Sequence, residues 1–168
     1  FKTTVYRLGR EYASFWKENG ILTDRQIVRM TEAELVSELL VAMLDGLQDK
    51  KKSLEKFYEK YDDQFPQRRQ LENRFKRCMS TIGKIFGSEL SRLAFKRRAL
   101  FYSLFCVIYD LLYGLRRSRS SRYDIPRKKY LAIRRAMRKL SDQINADVPD
   151  GEYVAFVHAC TRQTDNLK

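Results

Sequence analysis

Apolar residues recur at intervals of three and four along most of this chain, and this periodicity limits its possible folds more than any other feature. The clearest run consists of Leu71, Phe75, Cys78, Met79, Ile82 and Phe86. Such spacing places apolar side chains on one face of an α-helix. Only seven glycines and three prolines occur, and no Asn-Gly or Asp-Gly pair stands between alternating apolar segments, so hairpins are not indicated. The sequence therefore predicts an all-α fold.

Helix boundaries are marked by local signals. Thr23 with Gln26, and Thr31 with Glu34, have the spacing of a capping box, which predicts two successive helix starts. The Phe65-Pro66 pair predicts a helix end, because the residue before a proline is pushed out of the helical region. Together with stop signals at Gly20, Gly87 and Gly151, these boundaries predict seven to nine helices. A length of 168 residues fits one helical domain over residues 1–168.

The most apolar stretch, from Ala99 to Leu115, predicts the centre of this domain. We expect a long helix over about residues 89–115, around which the other helices pack. Ser103, Asp110 and Gly114 interrupt the stretch, and a bilayer span needs about 20 predominantly apolar residues. The sequence therefore predicts a buried helix and no membrane segment.

The net charge of the chain is concentrated in residues 92–139. This basic segment contains fifteen Lys and Arg residues against Asp110 and Asp124, which gives +13, whereas the other 120 residues contain nineteen basic and nineteen acidic side chains. Such segregation indicates an anionic partner, and nucleic acid is the leading candidate.

Within the basic segment, the sequence predicts a helix capped by Asp124 with Pro126 in its first turn. Its inward face contains Tyr130, Ile133, Met137, Leu140 and Ile144, and its outward arc is almost entirely basic. Arginine and lysine suit phosphate, since they neutralise its charge and release counterions. The candidate nucleic-acid-binding residues are Arg116, Arg117, Arg119 and Arg122 on the preceding loop, and Arg127, Lys128, Arg134, Arg135, Arg138 and Lys139 on the helix.

Alternatives to this interpretation stay open at the level of sequence. The basic face equally fits an acidic surface of a neighbouring domain or of a second copy of the chain. Tyr123 fits either base stacking or core packing, and Arg97 and Arg98 can hold internal carboxylates such as Asp110 or Glu89. No zinc-finger, RNP, GxxG or basic-zipper pattern accompanies the charge, so contact without sequence readout is expected.

Motifs for catalysis, metals or cofactors are not found. His158 is the only histidine, which excludes a histidine-rich metal centre within the chain and indicates a core or helix-end residue. Three cysteines without ligand spacing (Cys78, Cys106 and Cys160) predict reduced, core-type thiols. The one enzymatic alternative is a site made of carboxylates and Mg²⁺. We expect no catalytic residues, metal or cofactor.

Short segments follow one another in an order found in one known family. They are Phe15-Trp16, residues 27–30, 34–40, 45–48, 51–53, 57–62, Arg97-Arg98, residues 100–105, 112–115 and 164–166. In this order they resemble the helical part of the GmrSD restriction endonuclease N-terminal domain family. The resemblance extends over most of the chain.

The resemblance implies a bacterial, cytoplasmic protein of DNA restriction or phage defence. In such proteins a ParB-like, nucleotide-hydrolysing region contains an Asp-Gly-Gln-Gln-Arg motif and often precedes a His-Asn-His-type nuclease domain. Residues 45–48 match that motif only in part and lie in a helical pattern. We therefore expect a non-catalytic fragment of a larger protein. Its expected partners are DNA, the flanking N-terminal and C-terminal domains and, in a homo-oligomer, a second copy.

Overall fold

The computed structural model describes residues 1–47, 50–61, 64–116 and 123–161. Within these ranges it contains nine α-helices and no strand, which confirms the predicted all-α fold. The helices are α1 (Lys2–Glu11), α2 (Ala13–Glu18), α3 (Asp24–Val28), α4 (Thr31–Asp45), α5 (Lys50–Lys60), α6 (Arg68–Phe86), α7 (Arg98–Tyr113), α8 (Tyr130–Asn145) and α9 (Val154–Thr161).

Helices α4, α6 and α7 form the centre of the molecule. α4 packs against α1, α5, α6 and α7, while α6 also contacts α7 and α8. The side chains of Leu35 and Leu39 on α4, Phe75 on α6, and Phe101 and Phe105 on α7 are fully buried in one hydrophobic cluster. This placement follows from the sequence of α4, where apolar residues occupy more than one face.

The periodic apolar residues from Val5 to Trp16 predict one first helix that ends near Gly20, but the structure divides it in two. The apolar stripe from Val5 to Trp16 is divided between α1 and α2, since Tyr12 leaves the helical region with φ −103° and ψ 13°. The resulting bend turns Trp16 inward, where its ring meets that of Phe101 at a centroid distance of 5.5 Å. Trp16 is fully buried.

One of the two predicted capping boxes is present. The Gln26 backbone N–H donates to Thr23 Oγ1 at 3.3 Å, and the Thr23 N–H donates to Gln26 Oε1 at 2.8 Å. The second box is absent, because α4 begins directly after Met30, whose φ of 60° ends the preceding turn. Glu34, the expected second member, instead accepts a hydrogen bond from Arg98.

The central helix is shorter than the predicted range of 89–115. α7 begins at Arg98, and the preceding residues form two 3-10 turns, Gly87–Arg92 and Ala94–Lys96, separated by extended backbone at Leu93. Ala94 N–H donates to the buried Ser141 Oγ at 2.7 Å instead of to a carbonyl of a continuous helix. Leu90, Leu93 and Ala94 are buried at intervals of three and four residues, so the apolar spacing continues through the break and gives no sign of it.

Other predicted helix ends are confirmed. α5 ends at Lys60, before Pro66, and α6 ends at Phe86, where Gly87 adopts φ 52°. In the part of the chain that the structure describes, no helix has the length and apolarity needed to cross a bilayer. Most of the predicted order of helices therefore holds, and it places the basic segment on α7, α8 and the chain between them.

Candidate nucleic-acid interface

The inward face of α8 lies as predicted, although the helix begins later. Ile133 and Met137 pack partly buried against the core, and Ile144 is buried. Pro126 is extended, with ψ 144°, so residues Arg127–Lys129 form a 3-10 turn and α8 begins at Tyr130. Asp124 does not cap this helix but lies 3.7 Å from Arg77 in an ion pair. The phase of α8 nevertheless agrees with the prediction.

The N-terminal half of the α8 region presents unpaired cations to solvent. Arg127, Lys128, Lys129 and Arg135 are exposed. Within the described ranges, none of the four forms an ion pair with a carboxylate. Arg135 also lies one helical turn from Arg138 and Lys139, and like charges at that spacing repel, so an external anion would stabilise this surface.

Three of the predicted site residues have protein partners instead. Arg134 is half-buried, and its Nε donates to the carbonyl of Ile85 at the end of α6. Arg138 pairs with Glu89 at 3.0 Å, and Lys139 lies 3.6 Å from Glu152. Some cations of the predicted basic arc therefore bind groups of the protein, and others form no ion pair with a described carboxylate. The position of a residue around the helix does not show which of the two applies.

Lys139 also contacts an aromatic ring. Its Nζ lies 5.0 Å from the centroid of Tyr153. The Tyr153 hydroxyl, followed by the charge of Glu152, raises the pKa of Lys139 above its ordinary value. Lys139 therefore stays charged over the physiological pH range, and its ammonium group interacts with Glu152 and Tyr153 of the protein itself.

Of the four predicted loop residues, the structure describes Arg116 alone. Arg116 is exposed but pairs with Asp45 at 2.5 Å, at the end of α4. The other three predicted loop residues, Arg117, Arg119 and Arg122, lie outside the described residues. Residues Asp45 and Gly46, part of the segment that resembles the family motif, form the end of α4 and contact Arg116.

Arg97 and Arg98 hold polar side chains within the protein, as one of the open alternatives expected. Arg98 donates from Nη1 to Glu34 at 2.9 Å and from Nη2 to Glu38 at 2.8 Å. Burial by itself lowers the pKa of Arg98, but the hydrogen bonds and charges of the two carboxylates outweigh it and raise that pKa. Arg97 donates to Asn145 Oδ1 at 2.7 Å.

The carboxylates expected to pair with these two arginines have other partners. Asp110 accepts the backbone N–H of Leu115 at 2.6 Å, which closes the C-terminal end of α7. Glu89 pairs with Arg138. Pairing with internal carboxylates is therefore found for Arg98 but not for Arg97, which binds an amide oxygen, and neither expected partner is correct.

α6 and α8 face each other across a surface depression, which we name the α6–α8 cleft. It consists of two adjoining cavities of about 350 and 550 Å³ that share Lys84 and Tyr130. The first is lined by Arg77, Ser80, Thr81, Lys84, Leu112, Asp124, Ile125 and Tyr130, and the second by Lys84, Arg127, Tyr130, Leu131 and Arg134. Its lining contains four cations and one carboxylate.

Sequence reasoning missed the α6 side of this cleft. Arg77 and Lys84 lie outside the basic segment, in a part of the chain whose charges balance. Their separation of seven residues places them on one face of a helix, beside Ser80 and Thr81 at matching intervals. That spacing is the signal that could have found them. Arg127, in the 3-10 turn before α8, and Arg134 on α8 have the same separation in sequence.

The remaining chemistry-bearing residues do not gather at the cleft. Cys78 and Cys106 are buried and Cys160 is partly buried, and burial raises the pKa of the Cys78 thiol to about 12. His158 is exposed in the last turn of α9. Among the described residues, no group of three His, Cys, Asp or Glu side chains is arranged to hold a metal ion. The cleft itself offers cations, hydroxyls and an aromatic ring, which suit a phosphate-bearing ligand.

Comparison with protein-family models, curated proteins and solved structures finds no significant match to this chain. The resemblance to the GmrSD family therefore stays a prediction.

Proposed function

We propose that this helical domain binds the phosphate backbone of nucleic acid, with DNA as the expected form, without reading its sequence. The observation behind the proposal is a cluster of exposed cations at the start of α8 that form no ion pair with a described carboxylate: Arg127, Lys128, Lys129 and Arg135. They adjoin the α6–α8 cleft, where Lys84 adds a further exposed cation from a second helix. The binding surface is thus formed by two helices.

Physical chemistry favours phosphate as the ligand of this surface. Each Lys or Arg that neutralises a phosphate releases condensed counterions, so binding becomes stronger as salt is lowered. A bound phosphate also reduces the repulsion between neighbouring cations on α8. No side chain of the cluster needs a precise base edge for this interaction, which agrees with non-specific contact.

We place this activity in a larger bacterial protein of restriction or phage defence in the cytoplasm. In that setting the domain is non-catalytic and holds DNA while flanking domains perform the chemistry. The proposal rests on the resemblance to the GmrSD family together with the basic surface. It predicts that the isolated domain binds DNA without cleaving it or hydrolysing nucleotides.

The direct test is binding of a labelled DNA duplex, followed by fluorescence anisotropy. The variant Lys128→Glu/Lys129→Glu/Arg135→Glu reverses three exposed charges outside the cleft lining. The matched control, Arg10→Glu/Arg25→Glu/Arg29→Glu, changes the net charge equally at exposed positions on α1, on α3 and directly after α3, and these two helices pack against α4. We expect the α8 variant to lose about a hundredfold in affinity at low salt, and the control only a few-fold. Equal losses would contradict the assignment of this face.

Protein docking is a second candidate, favoured by apolar side chains that are exposed on α8 and α9. Leu131 is 55% exposed and Phe156 is 38% exposed, and such side chains suit an acidic protein surface with apolar contacts. If wild-type protein does not bind DNA even at low salt, the nucleic-acid proposal fails and this second candidate gains support.

A further inference from the structure

The α6–α8 cleft has the dimensions and lining of a nucleotide site rather than of a duplex site. Its two cavities, of about 350 and 550 Å³, fall in the range of volumes that admit a small organic ligand. The major groove of a double helix is about 12 Å wide and can receive a whole α-helix. The duplex as a whole is therefore too wide to enter cavities of this size. Separate, unstacked nucleotides fit where the duplex does not.

Cations lie on both sides of the cleft. Lys84 extends from α6 and is exposed, with no ion pair to a described carboxylate. Arg127 lies opposite, before α8, and is likewise exposed and unpaired among the described residues. Both line the larger cavity. A phosphodiester chain that passes through the cleft can therefore meet positive charge on either side.

Aromatic and aliphatic surface lies between these cations. Tyr130 is partly buried and lines both cavities, and Leu131 lines the larger one although it is 55% exposed. An aromatic ring between basic side chains is the combination that single-strand binding sites use, and Leu131 adds exposed apolar surface beside the ring. In single-strand binding sites, bases stack on rings while cations follow the backbone.

We propose that the α6–α8 cleft binds unpaired nucleic acid, with bases against Tyr130 and Leu131 and phosphates between Lys84 and Arg127. This inference deepens the proposed function and rests on it, since it names the form of nucleic acid that the basic surface prefers. The outer cations of α8 contact backbone in either form, whereas the cleft contributes only when bases are free.

The test compares single-stranded and duplex ligands of equal length at one salt concentration. The probes are labelled oligo-dT, oligo-rU and a mixed-sequence DNA duplex, measured by fluorescence anisotropy. We expect the wild type to bind oligo-dT at least about tenfold more tightly than the duplex. The ratio of oligo-dT to oligo-rU affinity distinguishes single-stranded DNA from RNA as the source of the same chemistry.

Two variants examine the cleft independently. Tyr130→Leu removes the ring and keeps an apolar side chain, so we expect it to abolish the preference for single strands while duplex binding persists. Because Tyr130 also packs on the core, Lys84→Glu supplies a second change at an exposed position. Its matched control is Arg69→Glu, an exposed residue of α6 that does not line the cleft. We expect Lys84→Glu to weaken oligo-dT binding about tenfold relative to this control.

The outcomes separate the two proposals. Equal affinity for duplex and single strand, or a preference unchanged by both cleft variants, would overturn the role of the cleft and leave the outer α8 cations as the binding surface. If the protein binds neither form at low salt, the proposed function fails together with the inference.

Discussion

Gly46 shows how a single residue connects the end of α4 to the chain that follows α7. Its φ is 84°, and a Cβ built at this position would lie 2.7 Å from the Arg116 carbonyl oxygen. A non-glycine residue is therefore opposed both by the backbone conformation and by a close backbone neighbour. Gly46 belongs to the segment that in part resembles the family motif, and in this fold its glycine has a structural reason.

We expect Gly46→Ala to lower the free energy of unfolding by more than about 1 kcal/mol. Gly83→Ala is the control, because Gly83 lies in α6 and a Cβ added there would meet nothing within 4 Å; we expect it to stabilise by about 0.5–1 kcal/mol. Urea denaturation of both variants measures the difference. Equal effects of the two substitutions would contradict the close approach of Gly46 to Arg116.

Glu72 joins α1 to α6 through charged partners. It accepts from Arg68 Nε at 2.9 Å and pairs with Arg7 at 2.5 Å. Burial raises the pKa of the Glu72 carboxyl, but the hydrogen bonds and charges of Arg68 and Arg7 outweigh it and lower that pKa below 4.5. A carboxylate with a lowered pKa stabilises the fold above its unfolded-state pKa, and the stabilisation is lost as the pH falls through the folded-state value.

We therefore expect Glu72→Gln to be less stable than the wild type by about 1–2 kcal/mol at pH 7. The gap should narrow as the pH falls below about 4.5, because the wild-type carboxyl becomes protonated and loses its charge. Thermal melts of both proteins between pH 7 and pH 3, followed by circular dichroism, measure this gap. A difference in stability that is independent of pH would refute the role of the Glu72 charge.

The helices themselves were largely predictable from sequence, and their breaks were less so. Apolar spacing and stop signals located α4, α5 and α6, because burial of one face and proline or glycine chemistry act locally. The break before α7 depends on Ser141, which accepts a hydrogen bond from Ala94 N–H across a separation of 47 residues. A contact of that range leaves no local signal, and buried Leu90, Leu93 and Ala94 continue the helical spacing through the break.

Ser141→Ala tests this tertiary contact. It leaves the buried Ala94 N–H without an acceptor, and we expect the protein to lose about 1–3 kcal/mol of stability. The control is Ser103→Ala on α7, where the exposed hydroxyl only donates to the Ala99 carbonyl of the same helix; it should change stability by less than about 0.5 kcal/mol. A neutral Ser141→Ala variant would show that the 3-10 turn does not depend on the serine.

For the whole molecule, the sequence showed where the excess positive charge lies in the chain, but it could not show which of these cations pair with carboxylates in the fold. Net charge depends on composition alone, whereas pairing depends on helices that meet in space. Arg98 finds Glu34 and Glu38 on α4, and Arg138 finds Glu89. Among the described cations that form no ion pair, Arg127, Lys128, Lys129 and Arg135 lie together at the start of α8, and Lys84 lies beside them in the cleft with α6, whereas Arg92 and Lys96 lie before α7. The candidate interface is accordingly smaller than the basic segment and includes Lys84 from outside it.

The measurement that most directly tests this account is the salt dependence of duplex DNA binding. Observed affinity would be recorded between about 50 and 200 mM salt for the wild type and for Lys128→Glu/Lys129→Glu/Arg135→Glu. If the three side chains contact phosphates, the log–log slope of the wild type is steeper than that of the variant by about three. Parallel lines for the two proteins would show that these cations do not contact phosphate and would contradict the account.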